Sequence, residues 1–242
     1  MSADGEREPG AGSEAGTELL RLAAVMARLR AQCPWDARQT HRSLAPFLLE
    51  ETYEALDALD RGDLAEFRGE LGDVLLQVLF HSQIASERTD GTGFTIDDVA
   101  GGIADKLVRR HPHVFSDVSV SGADEVRKNW DQIKAEERAA AGRGSDSVLD
   151  SVPMGQPALS LAAQLQRRAE RAGAPAQAAD LPAGTKADGG DPVSAIGAEL
   201  FALAGRARAA GFDPELELRR AARVYRDRVR AWEADRRGGV PT

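Results

Sequence analysis

An all-α fold is predicted by two features of the sequence. Apolar residues recur at helical spacing through the first half of the chain and again near its end, and no segment alternates convincingly as a half-buried β-strand does. The chain has 242 residues, of which 42% are hydrophobic, an ordinary share for a globular protein. We therefore expect a helical bundle in the first half, followed by a second helical region.

The first two helices are delimited by residues that end or cap helices. The segment 17–32 places apolar residues at helical spacing and ends before Pro34. A second helix is predicted to have Ser43 as its N-cap, to accept Pro46 in its first turn and to break at Gly62.

Three further helices are predicted in the first half. Asp63 and Glu66 have the spacing of a capping box at the start of the third helix. The fourth helix is expected to begin after Thr95 and to stop near His111, which precedes a proline, and the fifth follows Ser121.

The composition then divides the chain into domains. After about Ala139 it shifts to Gly, Ser, Ala and Pro, which indicates a linker. The predicted segments are a disordered tail at 1–16, a helical domain at 17–140, a linker at 141–154, a second helical region at 155–237 and a tail at 238–242.

The second helical region resembles a degenerate repeat of the first. The tripeptide that contains Gly197 aligns with the one that contains Gly72, and Ala198 then takes the place of Asp73. The second copy keeps the helical pattern but has lost its charged groups, so we expect it to serve structure or dimer formation.

Charge, hydropathy and cysteine content exclude several classes of protein. A net charge of −8 argues against a general nucleic-acid binder, because affinity for the phosphate backbone comes largely from Lys and Arg. No apolar run approaches the roughly 20 residues that span a bilayer, and the N-terminus has no hydrophobic signal core. Cys33 is the only cysteine, which fits a reducing compartment. We expect a cytoplasmic protein without membrane or nucleic-acid partners.

Acidic residues at helical spacing are the strongest chemical signal. Glu51 and Glu54 lie three residues apart on one predicted helix, and Glu70 and Asp73 do so on the next. Two antiparallel helices would bring the pairs together around a hard cation such as Mg²⁺ or Mn²⁺. Acidic side chains that merely face water are the alternative, but Gly72 inside this apolar helix argues for close packing. A di-iron site is disfavoured because neither pair has the Glu-x-x-His pattern.

Basic residues form a second group further along the chain. Lys106 and Arg110 lie four residues apart on the fourth helix beside Arg109, and Trp130 and Lys134 lie four apart on the fifth. Such residues next to a metal site could hold phosphates. The alternative is a solvated basic helix end that interacts favourably with the helix dipole.

Six short motifs together resemble those of a known family. In chain order they are Cys33-Pro34-Trp35-Asp36, Gln39-Thr40-His41, Leu49-Glu50-Glu51-Thr52-Tyr53-Glu54, Gly69-Glu70-Leu71-Gly72-Asp73, Lys106-Leu107-Val108-Arg109-Arg110-His111-Pro112-His113-Val114-Phe115 and Trp130-Asp131-Gln132-Ile133-Lys134. Their order resembles the MazG nucleotide pyrophosphohydrolases over roughly residues 17–140. The resemblance implies an all-α bundle completed by a second subunit, with catalysis in this first domain.

The resemblance also implies roles for individual residues. The implied Mg²⁺ ligands are Glu51, Glu54, Glu70 and Asp73. Glu50 is a further acidic contributor, and either Glu50 or Glu54 would act in catalysis by orienting a water. The implied substrate-binding residues are Trp35 and Asp36 near the base, Lys106, Arg109 and Arg110 near the phosphates, and Trp130 and Lys134 where the site closes.

The predicted activity is Mg²⁺-dependent hydrolysis of canonical or damaged nucleoside triphosphates to the monophosphate and pyrophosphate, by a homodimer or larger homo-oligomer. Such an enzyme would remove unwanted nucleotides from the cellular pool. Two alternatives stay open: a metal-binding module that regulates a partner, and a pyrophosphohydrolase of another phosphorylated metabolite.

Overall fold

The computed structural model describes residues 14–116, 118, 120–122, 125–126, 129–130, 132–133, 136–137, 147–182, 184–186 and 192–238. Contacts divide the chain into two compact units, Met1–Glu136 and Glu137–Thr242, which are described separately below. Residues 1–13, most of the predicted tail, lie outside the described residues, as does 138–146, which holds much of the predicted linker. The functional roles of the two units stay predictions.

Between residues 14 and 116, unit 1 contains five helices. They are α1 (Glu14–Gln32), α2 (His41–Arg61), α3 (Leu64–Ser86), α4 (Ile96–Arg110) and the short α5 (Pro112–Phe115). A 3₁₀ turn, Asp36–Arg38, connects α1 to α2. Consecutive helices α2 and α3 form a hairpin with the most extensive packing among the described helices, and α1 and α4 both pack on α3. No strand occurs among the described residues, which confirms the all-α prediction.

The N-terminus of α2 differs from the prediction. Thr40, not Ser43, is the N-cap: its hydroxyl accepts a hydrogen bond from the Ser43 backbone N–H, and the Ser43 hydroxyl accepts one from the Thr40 N–H. Ser43 therefore occupies the third helical position of a reciprocal capping box. Because the helix starts at His41, Pro46 lies in its second turn, where its ring leaves the Arg42 carbonyl without the usual helical donor.

The turn between α2 and α3 explains a second difference. Gly62 ends α2 with φ of +72°, a left-handed conformation that glycine adopts at low cost. The Asp63 side chain caps α3, but the Asp63 backbone N–H donates to the Ala58 carbonyl. The donor that a capping box would need is thus already used, and Glu66 binds Arg61 instead. The predicted box at this position was wrong.

The core of unit 1 lies where α1, α2 and α3 meet. Met26, Leu44, Leu79 and Phe80 are each at most 5% exposed and form one cluster. At the edge of this cluster Ile96 brings in the first turn of α4, which begins with the predicted Thr95 cap. Burial of these side chains fixes α2 and α3 against each other, and both helices carry the acidic residues.

Unit 2 contains three longer helices, α6 (Ala158–Arg171), α7 (Ala195–Ala209) and α8 (Pro214–Gly238). Gln166 of α6 donates to the Phe201 carbonyl of α7, which places these two helices in contact. A short 3₁₀ turn, Ala176–Ala179, lies between α6 and α7 in the chain. Over the described parts of both units, no helix has the length and apolar character needed to cross a membrane.

Candidate metal centre and nucleotide site

Three of the four predicted ligands converge on the α2–α3 hairpin. Glu51, Glu70 and Asp73 each offer a carboxylate oxygen, and the three oxygens lie within 4.8 Å of one another. We call these three residues the carboxylate trio. Glu51 and Glu70 are half-buried and Asp73 is exposed, so the trio opens to solvent on one side. The predicted fourth ligand, Glu54, does not belong to this group.

Glu54 lies outside the trio, but its charge acts on two members of the trio. Partial burial, followed by the charges of Asp73 and Glu54, raises the pKa of Glu51 above its ordinary value. Partial burial, followed by the charges of Glu54 and Asp73, raises the pKa of Glu70 in the same direction. The ionised trio is therefore strained by like charges, which a cation would relieve.

The donor set of the trio fits a hard divalent cation. All three donors are carboxylate oxygens, the ligands that Mg²⁺ and Mn²⁺ prefer. No histidine joins the group within the described part of the chain, which is consistent with the argument against a di-iron centre. A Cβ at Gly72 would meet no atom within 4 Å in the described residues, so the close packing predicted around this glycine is not provided by the chain itself.

A cleft of about 540 Å³ lies beside the trio. Its lining comes from one face of α2 and the first half of α3, namely Glu50, Tyr53, Glu54, Asp57 and Arg61 with Glu66 and Glu70. Glu70 belongs to both the trio and the cleft. A group that entered the cleft would therefore lie next to a cation held by the trio.

Arg61 is a cleft residue that the sequence reasoning missed. Its guanidinium donates to Asp57 at 2.7 Å and also binds Glu66 across the Gly62 turn. The positive charge of Arg61 partly opposes the rise in the pKa of Glu70. A helical stripe of charged residues on α2 that continues from Glu54 could have revealed it, because Arg61 lies seven residues further on the same face.

The predicted phosphate-binding residues lie on α4. Lys106 and Arg110 are half-buried on one face of the helix, whereas Arg109 is exposed. Although α4 packs against α3, no α4 residue belongs to the trio or lines the cleft. The structure thus places the basic residues on a neighbouring helix without bringing them into the carboxylate site.

One residue of the predicted fifth helix, Trp130, lies close to the C-terminal end of α4. The rings of His111 and Trp130 lie with centroids 6.1 Å apart, which places Trp130 near the end of the helix that carries Arg110. Residues 129–130 and 132–133 are helical as predicted, and Lys134 lies outside the described residues.

Trp35 and Asp36 lie in the connection between α1 and α2, and neither residue lines the cleft. Trp35 as a whole residue is 48% exposed, and its ring makes edge contacts with Phe47 of α2 and the buried Phe80 of α3, with centroids 6.0 and 6.4 Å apart. Asp36 is half-buried in the 3₁₀ turn. Trp35 is therefore partly accessible to solvent while its ring contacts hold it against the hairpin.

A helical hairpin with converging carboxylates beside an open cleft defines a class of all-α proteins with a candidate acidic metal centre. Residues 39–115, which include the whole hairpin and α4, match the model of the MazG nucleotide pyrophosphohydrolase domain. An uncharacterised 26.1 kDa protein of Streptomyces cacaoi is 46% identical over 230 residues, which cover 95% of this chain and 88% of that one.

Two relatives carry names that state an activity. The nucleoside triphosphate pyrophosphohydrolase/pyrophosphatase MazG of Thermotoga maritima is 37% identical over 232 residues, or 91% of this chain and 87% of that protein. The nucleoside triphosphate pyrophosphohydrolase of Escherichia coli K12 is 48% identical over 156 residues, and the match spans only 57% of its length. The chain belongs to the MazG family, which confirms the predicted family and its class of enzyme, the nucleotide pyrophosphohydrolases.

Among solved structures, a crystal structure of a mazG-related protein from Thermotoga maritima is similar to this chain. Its TM-score is 0.42 at 25% sequence identity, and the alignment covers 48% of this chain and 98% of that one.

Proposed function

We propose that unit 1 hydrolyses nucleoside triphosphates to the monophosphate and pyrophosphate, with Mg²⁺ or Mn²⁺ at the carboxylate trio. The observation that carries this proposal is the convergence of Glu51, Glu70 and Asp73 within 4.8 Å, beside a cleft that shares Glu70. The names of the Thermotoga and Escherichia relatives support the choice of substrate class.

The trio would hold the cation, and the charge of Glu54, which acts on both Glu51 and Glu70, would add to its attraction for a cation. When bound, Mg²⁺ supplies positive charge that neutralises phosphate oxygens and increases the acidity of water. The repulsion that raises the pKa of Glu51 and of Glu70 supports this assignment, because a cation would remove it.

Glu50 and Glu54 are the proposed catalytic carboxylates, since both line the cleft and neither belongs to the trio. One of them orients a water and accepts its proton while the water oxygen forms a bond to the α-phosphorus. The bond from the α-phosphorus to its leaving oxygen breaks, and pyrophosphate departs with the electron pair. No side-chain nucleophile is required.

The remaining candidates would hold the rest of the substrate. Lys106, Arg109 and Arg110 would bind the outer phosphates, since Arg recognises phosphate with a fork of N–H groups and Lys with a point charge. Trp130 and Lys134 would close the site over them. Trp35 and Asp36 would contact the base, and the exposed Trp35 ring offers a surface on which a base could stack.

Attack at the α-phosphorus predicts which products carry solvent oxygen. Hydrolysis of dATP in ¹⁸O-labelled water with Mg²⁺ should give labelled dAMP and unlabelled pyrophosphate, as resolved by mass spectrometry. Deoxyadenosine diphosphate and orthophosphate as primary products would place attack at the γ-phosphorus and contradict the proposal. A panel of standard, deaminated and oxidised nucleotides then tests whether damaged substrates are preferred, as proposed for an enzyme that cleans the cytoplasmic nucleotide pool.

We also propose that the protein is a homodimer formed through α3 and α4 of unit 1. Val78, Ile103 and Leu107 are exposed on these helices, and no described atom approaches the Cβ position of Gly72. Exposed apolar side chains on neighbouring helices are typical of a surface that another subunit covers.

Removal of this apolar contact should change the oligomeric state. Val78→Lys is expected to convert the dimer to a monomer in sedimentation experiments, because a charge would be buried at the interface. Leu64→Lys is the matched control, since Leu64 is 74% exposed in the first turn of α3 and should leave the dimer intact. A monomeric wild-type protein would contradict the dimer.

A further inference from the structure

Arg30, near the end of α1, links three parts of unit 1. Its Nε and one terminal nitrogen donate to the two carboxylate oxygens of Glu87, at 2.8 and 2.9 Å. The other terminal nitrogen donates to the backbone carbonyls of Asp36 and Gln39. The Arg30 side chain is only 13% exposed, although its partner Glu87, directly after α3, is 42% exposed. We call this set of contacts the Arg30 clamp.

The clamp engages most of the hydrogen-bonding capacity of Arg30. A guanidinium has five N–H groups in a planar fork, and four of them are accounted for by these contacts. The hydrogen bond to Glu87 raises the pKa of Arg30 and lowers the pKa of Glu87, as expected for a charge-assisted pair. Arg30 is therefore poorly placed to bind phosphate and serves to hold protein groups.

The two carbonyls that Arg30 binds lie at the ends of the turn next to Trp35. The 3₁₀ turn is Asp36–Arg38, so one accepted carbonyl belongs to its first residue and the other to Gln39, which follows it. These two hydrogen bonds restrain the backbone that directly follows Trp35. The turn then restrains the backbone of Trp35, and Phe47 and Phe80 restrain its indole ring.

We propose that Arg30 is a positioning residue for nucleotide recognition, which holds Trp35 where its exposed face can stack on the base. This inference rests on the proposed function, because it requires a nucleotide whose base reaches Trp35. Lysine cannot replace Arg30 in this role, since an ammonium lacks the planar fork that reaches one carboxylate and two carbonyls together. A preorganised aromatic surface loses less conformational entropy on binding than a mobile one.

The test compares a substrate that has a base with a ligand that has none. Arg30→Lys should raise the KM for dATP by about tenfold, within the range of base–aromatic stacking energies, and should leave kcat nearly unchanged. The inhibition constant of inorganic tripolyphosphate should stay the same, because it has no base to stack. Trp35→Ala should raise the KM similarly, and Trp35→Ala combined with Arg30→Lys should add little further.

Two controls separate positioning from loss of structure. Arg21→Ala removes an ion pair with Glu18 on the exposed side of the same helix and should alter neither KM nor the inhibition constant. Thermal unfolding would measure whether Arg30→Lys remains folded. Glu87→Gln, which preserves the size of the partner, provides a second perturbation of the clamp.

The outcomes are distinct. An unchanged KM in a folded Arg30→Lys protein, or an equal loss of affinity for dATP and tripolyphosphate, would overturn the positioning role. A wild-type protein that releases no pyrophosphate from dATP, or that tripolyphosphate does not inhibit, would instead contradict the proposed function. An effect of Arg30→Lys without one of Trp35→Ala would show that the clamp does not act through the indole.

Discussion

Replacement of Glu70 by glutamine should lower kcat by at least about 100-fold at saturating Mg²⁺, because metal catalysis supplies several kcal/mol of transition-state stabilisation. Glu70 is the best single test of the site, since it belongs to the carboxylate trio and also lines the cleft. Glutamine keeps the size of the side chain but removes the charge that attracts a divalent cation. Steady-state kinetics and calorimetric titration with Mg²⁺ would measure the two effects.

The same substitution, which lowers activity, should raise the thermal stability of the protein when no metal is bound. The pKa of Glu70 is raised in the folded protein, so its protonated form is favoured there and its ionised form is unfavourable. The stabilising contribution is present below the ordinary pKa of a glutamate and is lost as the pH rises through the raised value. Near pH 7 glutamine removes this repulsion, and the Tm of metal-free Glu70→Gln should exceed that of the wild type.

A loss of activity with a higher Tm cannot be attributed to unfolding. Glu18→Gln on the exposed side of α1 is the matched control and should change neither quantity appreciably. Glu51→Gln and Asp73→Asn should reproduce the loss of Mg²⁺ affinity. Near wild-type turnover in two or more of the trio variants would show that the ligand set is wrong.

Replacement of Glu54 can distinguish a metal ligand from a residue that orients the attacking water. It repels the trio without joining it, so it could ligate the cation or orient the attacking water. Glu54→Gln should nearly abolish turnover in either case. Mg²⁺ affinity that survives in this variant would assign Glu54 to the water, and affinity lost together with turnover would assign it to the cation.

The parts of the fold that the sequence predicted are those set by local chemistry. Gly62 and Thr95 mark helix ends because a left-handed turn and a side-chain cap each involve only neighbouring residues. The start of α2 was misplaced because both Thr40 and Ser43 can cap a helix. Only the reciprocal hydrogen bonds reveal that Thr40 is the cap and Ser43 its partner.

The sequence could predict which acidic residues share a helix face, but it could not predict the distances between residues on different helices. Spacing by three residues places Glu51 and Glu54 on one side of α2, yet only Glu51 joins the trio. Which of the two joins the trio depends on the rotation of one helix against the other, which the core residues determine. Glu87 lies 57 residues from Arg30, so no local pattern could have predicted the clamp between them.

Replacement of Lys106 or Arg110 by alanine should lower kcat/KM by about 100- to 1,000-fold, the usual loss when one group that stabilises transition-state charge is removed. The reason is that departing pyrophosphate gains negative charge, which the proposed phosphate-binding cations on α4 would neutralise. Both side chains are half-buried on one face of α4, which packs against α3. Exposed Arg109 should show a smaller loss.

The phosphate role predicts effects on particular ligands. Lys106→Ala and Arg110→Ala should weaken inhibition by tripolyphosphate, which Arg30→Lys should not, and should leave the Mg²⁺ affinity of the metal site unchanged. Arg21→Ala again serves as the control for loss of an exposed arginine. If both α4 variants kept kcat/KM within about threefold of the wild type, the leaving group would need another cation. Arg61 would then be the residue to replace next, because its guanidinium already lies on the wall of the cleft beside Glu70.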